Sequence, residues 1–400
     1  MSSLIRAKFI GIGAAGNKAA VELLKQNVVE NPNDVLLLNT TLRDIPEEYR
    51  EKAIAFGNIH GCGKERELGK KMVALAINDK KIDLDTFVKD SPDTVVIVTS
   101  VEGGTGSGGS INVARYINEY LGFNVHMFAF CGFEDDVRGL KNTIDWFNDL
   151  SDKYVVEAIS NKKFLTEDGD REQAEEAANN EFIKRMKILM GQDIEASNKN
   201  IDERDLFKVA TQSGFMTIET CQLGKLRGKE QFNSILQETI DHSKSIDTEQ
   251  SAIRMGVIIN TSTKAAGVID EGFTVLKKHY GNPFETFYHR QYNQDDDYAN
   301  IIVSGMKLPI DYIKKVYDNY QKEWNSVDKR KDSFFSKNDM FNTSEGTMFD
   351  MSTNDIVTET DKSNMSKREK FMQSIGIIPK KVSPEETLAE KHISYVKDNL

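Results

Sequence analysis

The sequence predicts an α/β protein: a first domain on a parallel sheet, a long central helix, a second α/β domain and a flexible C-terminal tail. Three observations predict it. Short apolar runs alternate with helical patterns, the signature of strands covered by crossover helices. Two glycine-rich segments sit where an apolar run gives way to a helix. A polar-to-amphipathic stretch from Arg171 to Met190, rich in Ala and Glu, reads as one extended helix.

The elements follow in order. Phe9, Ile10 and Ile12 form a buried strand running into Gly11 to Asn17 (G-I-G-A-A-G-N), followed by a helix with Ala20, Leu23 and Leu24 on one face. Val35 to Leu38 is a second strand, closed by Asn39-Thr40-Thr41. Val95 to Val98 is a third, leading through Ser100-Val101-Glu102 into Gly103 to Gly109 (G-G-T-G-S-G-G). A helix from about Ile111 to Leu121 ends at Gly122, a residue suited to the left-handed C-terminal cap. Val125 to Phe130 makes a further strand. Continuous apolar strands of this kind belong in a parallel sheet buried on both faces.

Beyond the extended helix, a second α/β unit holds strands at Met255–Ile259, Phe284–Tyr292 and Ala299–Met306. Asp311 to Val327 reads as an amphipathic helix, with Ile313, Val316, Tyr317, Tyr320 and Trp324 at helical spacing. From Asp332 apolar clusters thin out and Ser, Thr, Asn and Lys dominate, the composition of a flexible tail. The expected division is 1–170, 171–201, 202–310, 311–331 and 332–400.

Composition narrows the function classes. The chain has 400 residues, 39% apolar and 29% charged, with 21 Phe and 12 Tyr, enough to fill sizeable cores. A net charge of −11 makes it a poor generic binder of nucleic-acid backbone. Cys62, Cys131 and Cys221 form no C-x-x-C pair, and Cys62 with His60 offers two ligands where a structural zinc site needs about four. The start lacks the apolar stretch of a signal peptide, and no apolar run approaches a membrane span. A cytoplasmic protein is expected.

Gly11 to Gly16 has the G-x-G-x-x-G spacing with which a backbone approaches phosphate at a helix N-terminus. A dinucleotide fold also wants an acid at the end of the second strand, and Asn39-Thr40-Thr41 stands there instead. The P-loop pattern fails as well, since Gly61-Cys62-Gly63-Lys64-Glu65 is its nearest approach. The second glycine run says more: successive N–H groups there make an anion nest, with Thr105 and Ser107 adding hydroxyls. A packing turn alone is the plainer reading. A second glycine-rich strand–helix junction is, however, costly to order without a ligand.

At these residues the chain resembles the tubulin/FtsZ superfamily of filament-forming GTPases, over about 330 residues. Gly103 to Gly108 resembles the loop that wraps the phosphates, so Gly103, Gly104, Thr105, Gly106 and Ser107 are expected to bind nucleotide. Gly13, Ala14, Ala15, Gly16 and Asn17 resemble the family's first loop. Asn39-Thr40 falls where its N-T-D loop lies, and Gly61 to Gly69, through Gly63, tracks the third phosphate-facing loop. The resemblance implies that Glu134 and Arg138 bracket the ribose, that Asn161 lies in the nucleotide site, and that Asn180 reads guanine, with Asn179 as fallback. Asn200, Asp202 and Asp205 match the N-x-D-x-x-D catalytic loop. Each has a plainer alternative: an exposed i,i+4 pair for Glu134 and Arg138, surface polar residues for the asparagines, and helix-capping carboxylates for Asp202 and Asp205.

The resemblance implies GTP and GDP as ligands, Mg²⁺ on the phosphates, and head-to-tail self-assembly. The carboxylates at the far end of a helix roughly 30 Å long would then reach the neighbour's nucleotide. Glu102 departs from the family, standing where it has glycine, and neither Glu175 nor Glu176 supplies the aromatic that stacks on the base. The tail lacks the apolar peptide with which division proteins grip membrane tethers. It resembles the plasmid- and phage-borne TubZ branch, which implies DNA segregation through a DNA-binding adaptor protein held by Lys367, Arg368, Lys370, Lys380 and Lys381. Neither direct DNA binding nor a membrane is expected. The alternatives are an FtsZ-like division or phage-positioning filament, and a nucleotide-binding module that does not polymerise.

Overall fold

Seven parallel strands carry out the predicted alternation in the computed structural model, which describes residues 5–57, 61–192, 203–223, 229–248, 251–260, 274–291 and 297–335. In chain order the first six are β1 (Ala7–Ile12), β2 (Val35–Asn39), β3 (Ala53–Ala55), β4 (Thr94–Ser100), β5 (Val125–Cys131) and β6 (Val155–Ser160). Then come β7 (Gly214–Gln222), β8 (Arg254–Asn260), β9 (Glu285–Gln291) and β10 (Tyr298–Met306). All ten form one sheet in the order β3-β2-β1-β4-β5-β6-β7-β10-β8-β9. β10 runs antiparallel to both β7 and β8, so the second α/β unit continues the first sheet with a reversal. Residues Met1–Val327 make one compact unit, and Asp328–Leu400 a second.

The helices are α1 (Gly13–Lys25), α2 (Arg66–Asn78), the single turn α3 (Leu84–Phe87), α4 (Thr105–Arg115), α5 (Val137–Asn148), α6 (Arg171–Leu189), α7 (Glu203–Ala210), α8 (Lys229–Asp241) and α9 (Ile310–Phe335). β4 is T-V-V-I-V-T-S with six of its seven residues buried, the stiff branched side chains that favour a central strand. α5 and α6 start where Asp136 and Asp170 accept hydrogen bonds from the backbone N–H groups of their own first turns. Phe128 of β5 meets Phe182 of α6 edge-on at 4.7 Å. With Phe9, Val96 and Met186 they belong to the core that fixes α6 across the sheet. Burying a side chain of this size contributes about 2–3 kcal/mol.

Two expectations change. The helix expected from Ile111 begins at Thr105: Gly108 N–H already bonds the Gly104 carbonyl at 3.1 Å. The glycines are low-propensity helix formers, but a Cβ on Gly108 would lie 2.2 Å from the Arg66 carbonyl, so α2 packs where only hydrogen fits. The helix passes through a π turn at Tyr116–Tyr120 and ends at Gly122 with φ +81°, as expected. The C-terminal helix buries Tyr312 and Val316, while Tyr317 and Trp324 of the expected apolar stripe are exposed. Of the expected tail, 336–400 lies outside the described residues. No helix among the described residues is long and apolar enough to cross a membrane.

Candidate functional site

The strand order reverses direction between β1 and β4, the switch point outside whose carboxyl ends open α/β sheets bind ligands. A cleft of about 520 Å³ opens there, lined by Gly13 to Ala15, Asn39 to Thr41, Gly61 to Lys64 and Glu102 to Gly106. Two helices begin in it. α1 starts after Ile12 and α4 after Gly104, and neither has a side-chain cap or an acidic residue in its first turn. A helix start leaves several N–H groups without intrahelical partners and carries about half a positive charge. Two such ends, without the usual caps and acids, are suited to an anion.

Cross-links hold the loops around the cleft. Thr40 Oγ1 and Thr105 Oγ1 lie 3.2 Å apart, and Ser107 Oγ donates to the Gly103 carbonyl. Asn142 of α5 donates through Nδ2 to the carbonyls of Lys64 and Glu102, each at 3.0 Å, pinning two loops with one carboxamide. Lys64 Nζ meets Asp136 at 2.7 Å, and Asn39 Nδ2 donates to Asp44. Asn142 carries no sequence signal, since its partners are backbone atoms of distant loops. Thr41, Arg43 and Asp44 also line the cleft, beyond the two residues the N-T-D comparison singled out.

The remaining site residues divide as follows. Asn17 is buried and donates to the Leu38 carbonyl, yet its Oδ1 has no partner; the buried Asn161 Oδ1 has none either. Buried unpaired acceptors of this kind cost about 1–3 kcal/mol each unless a donor arrives. Glu134 and Arg138 do not form a helical i,i+4 pair: Glu134 sits before α5 at φ +62° and pairs with Lys162, while Arg138 donates to the Gly63 carbonyl at 3.2 Å. The two asparagines of α6 differ in burial: Asn179 is 7% exposed and Asn180 faces solvent. Asp205 lies on α7, paired with Lys208 at 3.4 Å; Asn200 and Asp202 lie outside the described residues. α6 spans 19 residues, about 28 Å by helical rise, between the loop that ends β6 and this far loop.

The groups present suit a nucleotide: bare helix N-termini and a glycine-walled cleft supply donors for phosphates, and the unpaired carboxamide oxygens of Asn17 and Asn161 are acceptors of the kind that nucleoside N–H and O–H groups need.

No family model matches the chain. It is 25% identical over 315 residues to the cell division protein FtsZ of Mycoplasmopsis pulmonis, covering 75% of this chain and 77% of that one. The structure superposes on a GTPγS-form protofilament of Bacillus thuringiensis serovar israelensis TubZ with a TM-score of 0.70 and 16% identity, covering 84% of this chain and 96% of that one. On a GTPγS-bound protofilament of CetZ2 from Haloferax volcanii the TM-score is 0.65 at 15% identity, covering 80% and 99%. The chain has the tubulin/FtsZ superfamily fold, that of the filament-forming GTPases. Its relatives spread over the FtsZ, TubZ and CetZ branches, and the fold alone does not choose among them.

Proposed function

We propose that this chain binds GTP in the cleft at the β1/β4 switch point, assembles head to tail, and hydrolyses the nucleotide at the contact between subunits. The observation that carries the reading is the pair of uncapped, acid-free helix N-termini meeting beneath a glycine wall. Gly13 to Asn17 and Gly103 to Ser107 would hold the phosphates by backbone N–H, Glu134 and Arg138 the ribose side, and Asn161 and Asn179 the base. Mg²⁺, held through the phosphates, would supply charge neutralisation there. Asn200, Asp202 and Asp205, at the far end of α6, would orient the attacking water on the neighbour's nucleotide. The FtsZ match and the protofilament form of the TubZ and CetZ neighbours support self-assembly.

DNA segregation is the cargo reading we favour, supported by the tail's resemblance to the TubZ branch, with the basic residues from Lys367 to Lys381 engaging an adaptor. Electron microscopy of the full chain with GTP, GDP and no nucleotide tests the core of this proposal. Filaments that require GTP, with phosphate released as they form, are expected. A chain that stays monomeric and releases none would contradict it.

A further inference from the structure

Four acids lie close together where the loop after β5 meets the phosphate loop: Glu102, Glu134, Asp135 and Asp136. Three have a cation each. Glu134 pairs with Lys162, Asp135 with Arg171, and Asp136 with Lys64. Glu102 forms no ion pair among the described residues. Its carboxyl is packed against glycine on two sides: a Cβ added to Gly132 would lie 2.0 Å from its Oε2, and one added to Gly139 would lie 3.3 Å from its Cβ. One hydrogen bond reaches it, from the Glu134 N–H to Oε1 at 3.2 Å. Glu102 also lines the cleft. A largely buried carboxyl with no cation therefore shares a wall with the site for a polyanion, and two adjacent unscreened negative charges are expensive at low local dielectric.

We propose that Glu102 takes up a proton from solvent when phosphates enter the cleft, so that nucleotide is bound with this carboxyl as the neutral acid. The inference rests on the nucleotide reading above and goes beyond it, because it makes affinity a function of pH through one named residue. In the balanced step, the carboxylate, one solvent proton and the free nucleotide give the carboxylic acid and the bound nucleotide, and no covalent bond to nucleotide changes.

The groups that face Glu102 agree. Burial lifts its carboxyl above the usual carboxylate range; the Glu134 N–H and Lys64 draw it back down, and Asp135 and Asp136 push it up. Lys64 is already committed to Asp136. Cys131, whose thiol burial pushes up to about 12, and Tyr312, lifted well above its ordinary value by burial, bring no positive charge. Arriving phosphate raises the carboxyl further. The bound state then holds more protons than the free state, and linkage makes affinity fall as pH rises between the two carboxyl pKa values, by up to about tenfold per pH unit.

The test is calorimetric titration of GTPγS into the full chain at saturating Mg²⁺, from about pH 6 to about pH 8, in buffers of different ionisation enthalpy. Wild type should take up more protons than Glu102→Gln, by as much as one per site. Its affinity should weaken with rising pH more steeply than that of the variant, whose amide keeps an acceptor for the Glu134 N–H and cannot ionise. Equal uptake and parallel pH profiles in the two proteins would overturn the proposal. If Glu102→Gln fails to fold, wild type alone decides: no proton uptake and a flat profile overturn it. Infrared difference spectra with ¹³C-labelled glutamate should show a protonated carboxyl appear on binding. Failure of wild type to bind GTPγS at any pH would instead sink the nucleotide reading, and this inference with it.

Discussion

Gly13 and Gly106 stand face to face at the starts of α1 and α4: a Cβ on Gly13 would lie 3.1 Å from the Gly106 nitrogen. The contact sets two helix N-termini side by side, and Gly13 holds a φ of +76° that side chains rarely adopt. Gly13→Ala should therefore cost about 1–3 kcal/mol of strain and spread the two N-termini. We expect at least about tenfold weaker binding of GDP, read by calorimetry. Unchanged affinity would mean that the paired helix ends are not the phosphate site.

Base reading should depend on Asn179 more than on Asn180, because only Asn179 faces inward. A carboxamide there offers an acceptor to guanine's ring N–H and amine and donors to its carbonyl, a pattern adenine reverses. Asn179→Ala should narrow the preference for GTP over ATP by about 10- to 100-fold, and Asn180→Ala should leave it nearly intact. Competition titrations measure both, and the opposite ranking would restore Asn180 as the reader.

Arg185 anchors the central helix to the sheet. It is 1% exposed and bonds Glu157 and Glu181, each at 2.7 Å, with Glu219 at 3.6 Å. Arg185→Met would strand the fully buried Glu157 and should cost about 3–5 kcal/mol. Denaturant unfolding checks it, and a loss below about 1 kcal/mol would show that the carboxylates find other partners.

Asp149 ties α2 to the end of α5 through Arg66 at 2.6 Å and Lys70 at 3.1 Å. Burial pushes its carboxyl up, but the Arg66 hydrogen bond and charge, then Lys70, hold it below the usual carboxylate range. A depressed carboxyl stabilises the fold above its unfolded pKa, and that contribution disappears as pH falls through the folded value. Asp149→Asn should lower stability at neutral pH and flatten the acid loss below about pH 4. An acid profile identical to wild type would remove Asp149 from the account.

Most of the cleft's architecture was legible because glycines at strand–helix junctions and continuous apolar strands are local signals. What escaped was held by distant partners. β6 is hard to see because Glu157 sits in its middle, buried at 0% exposure and held by Arg185, 28 residues on. β7 hides Glu219 in the same network. α4 was expected to start near Ile111 because glycines argue against helix, whereas their lack of side chains is what lets α2 approach. The inward turn of Asn179 depends on where α6 lies against the sheet, which helical spacing alone does not give.

The central claim is that one subunit's far loop completes another's nucleotide site. Phosphate release per subunit, followed from dilute to concentrated protein in wild type and Asp202→Ala, tests it most directly. Shared sites require the wild-type rate per subunit to rise steeply above a critical concentration, while Asp202→Ala binds GTP, forms long-lived filaments and releases almost no phosphate. A rate per subunit that stays constant across the series, or wild-type turnover by Asp202→Ala, would contradict the account.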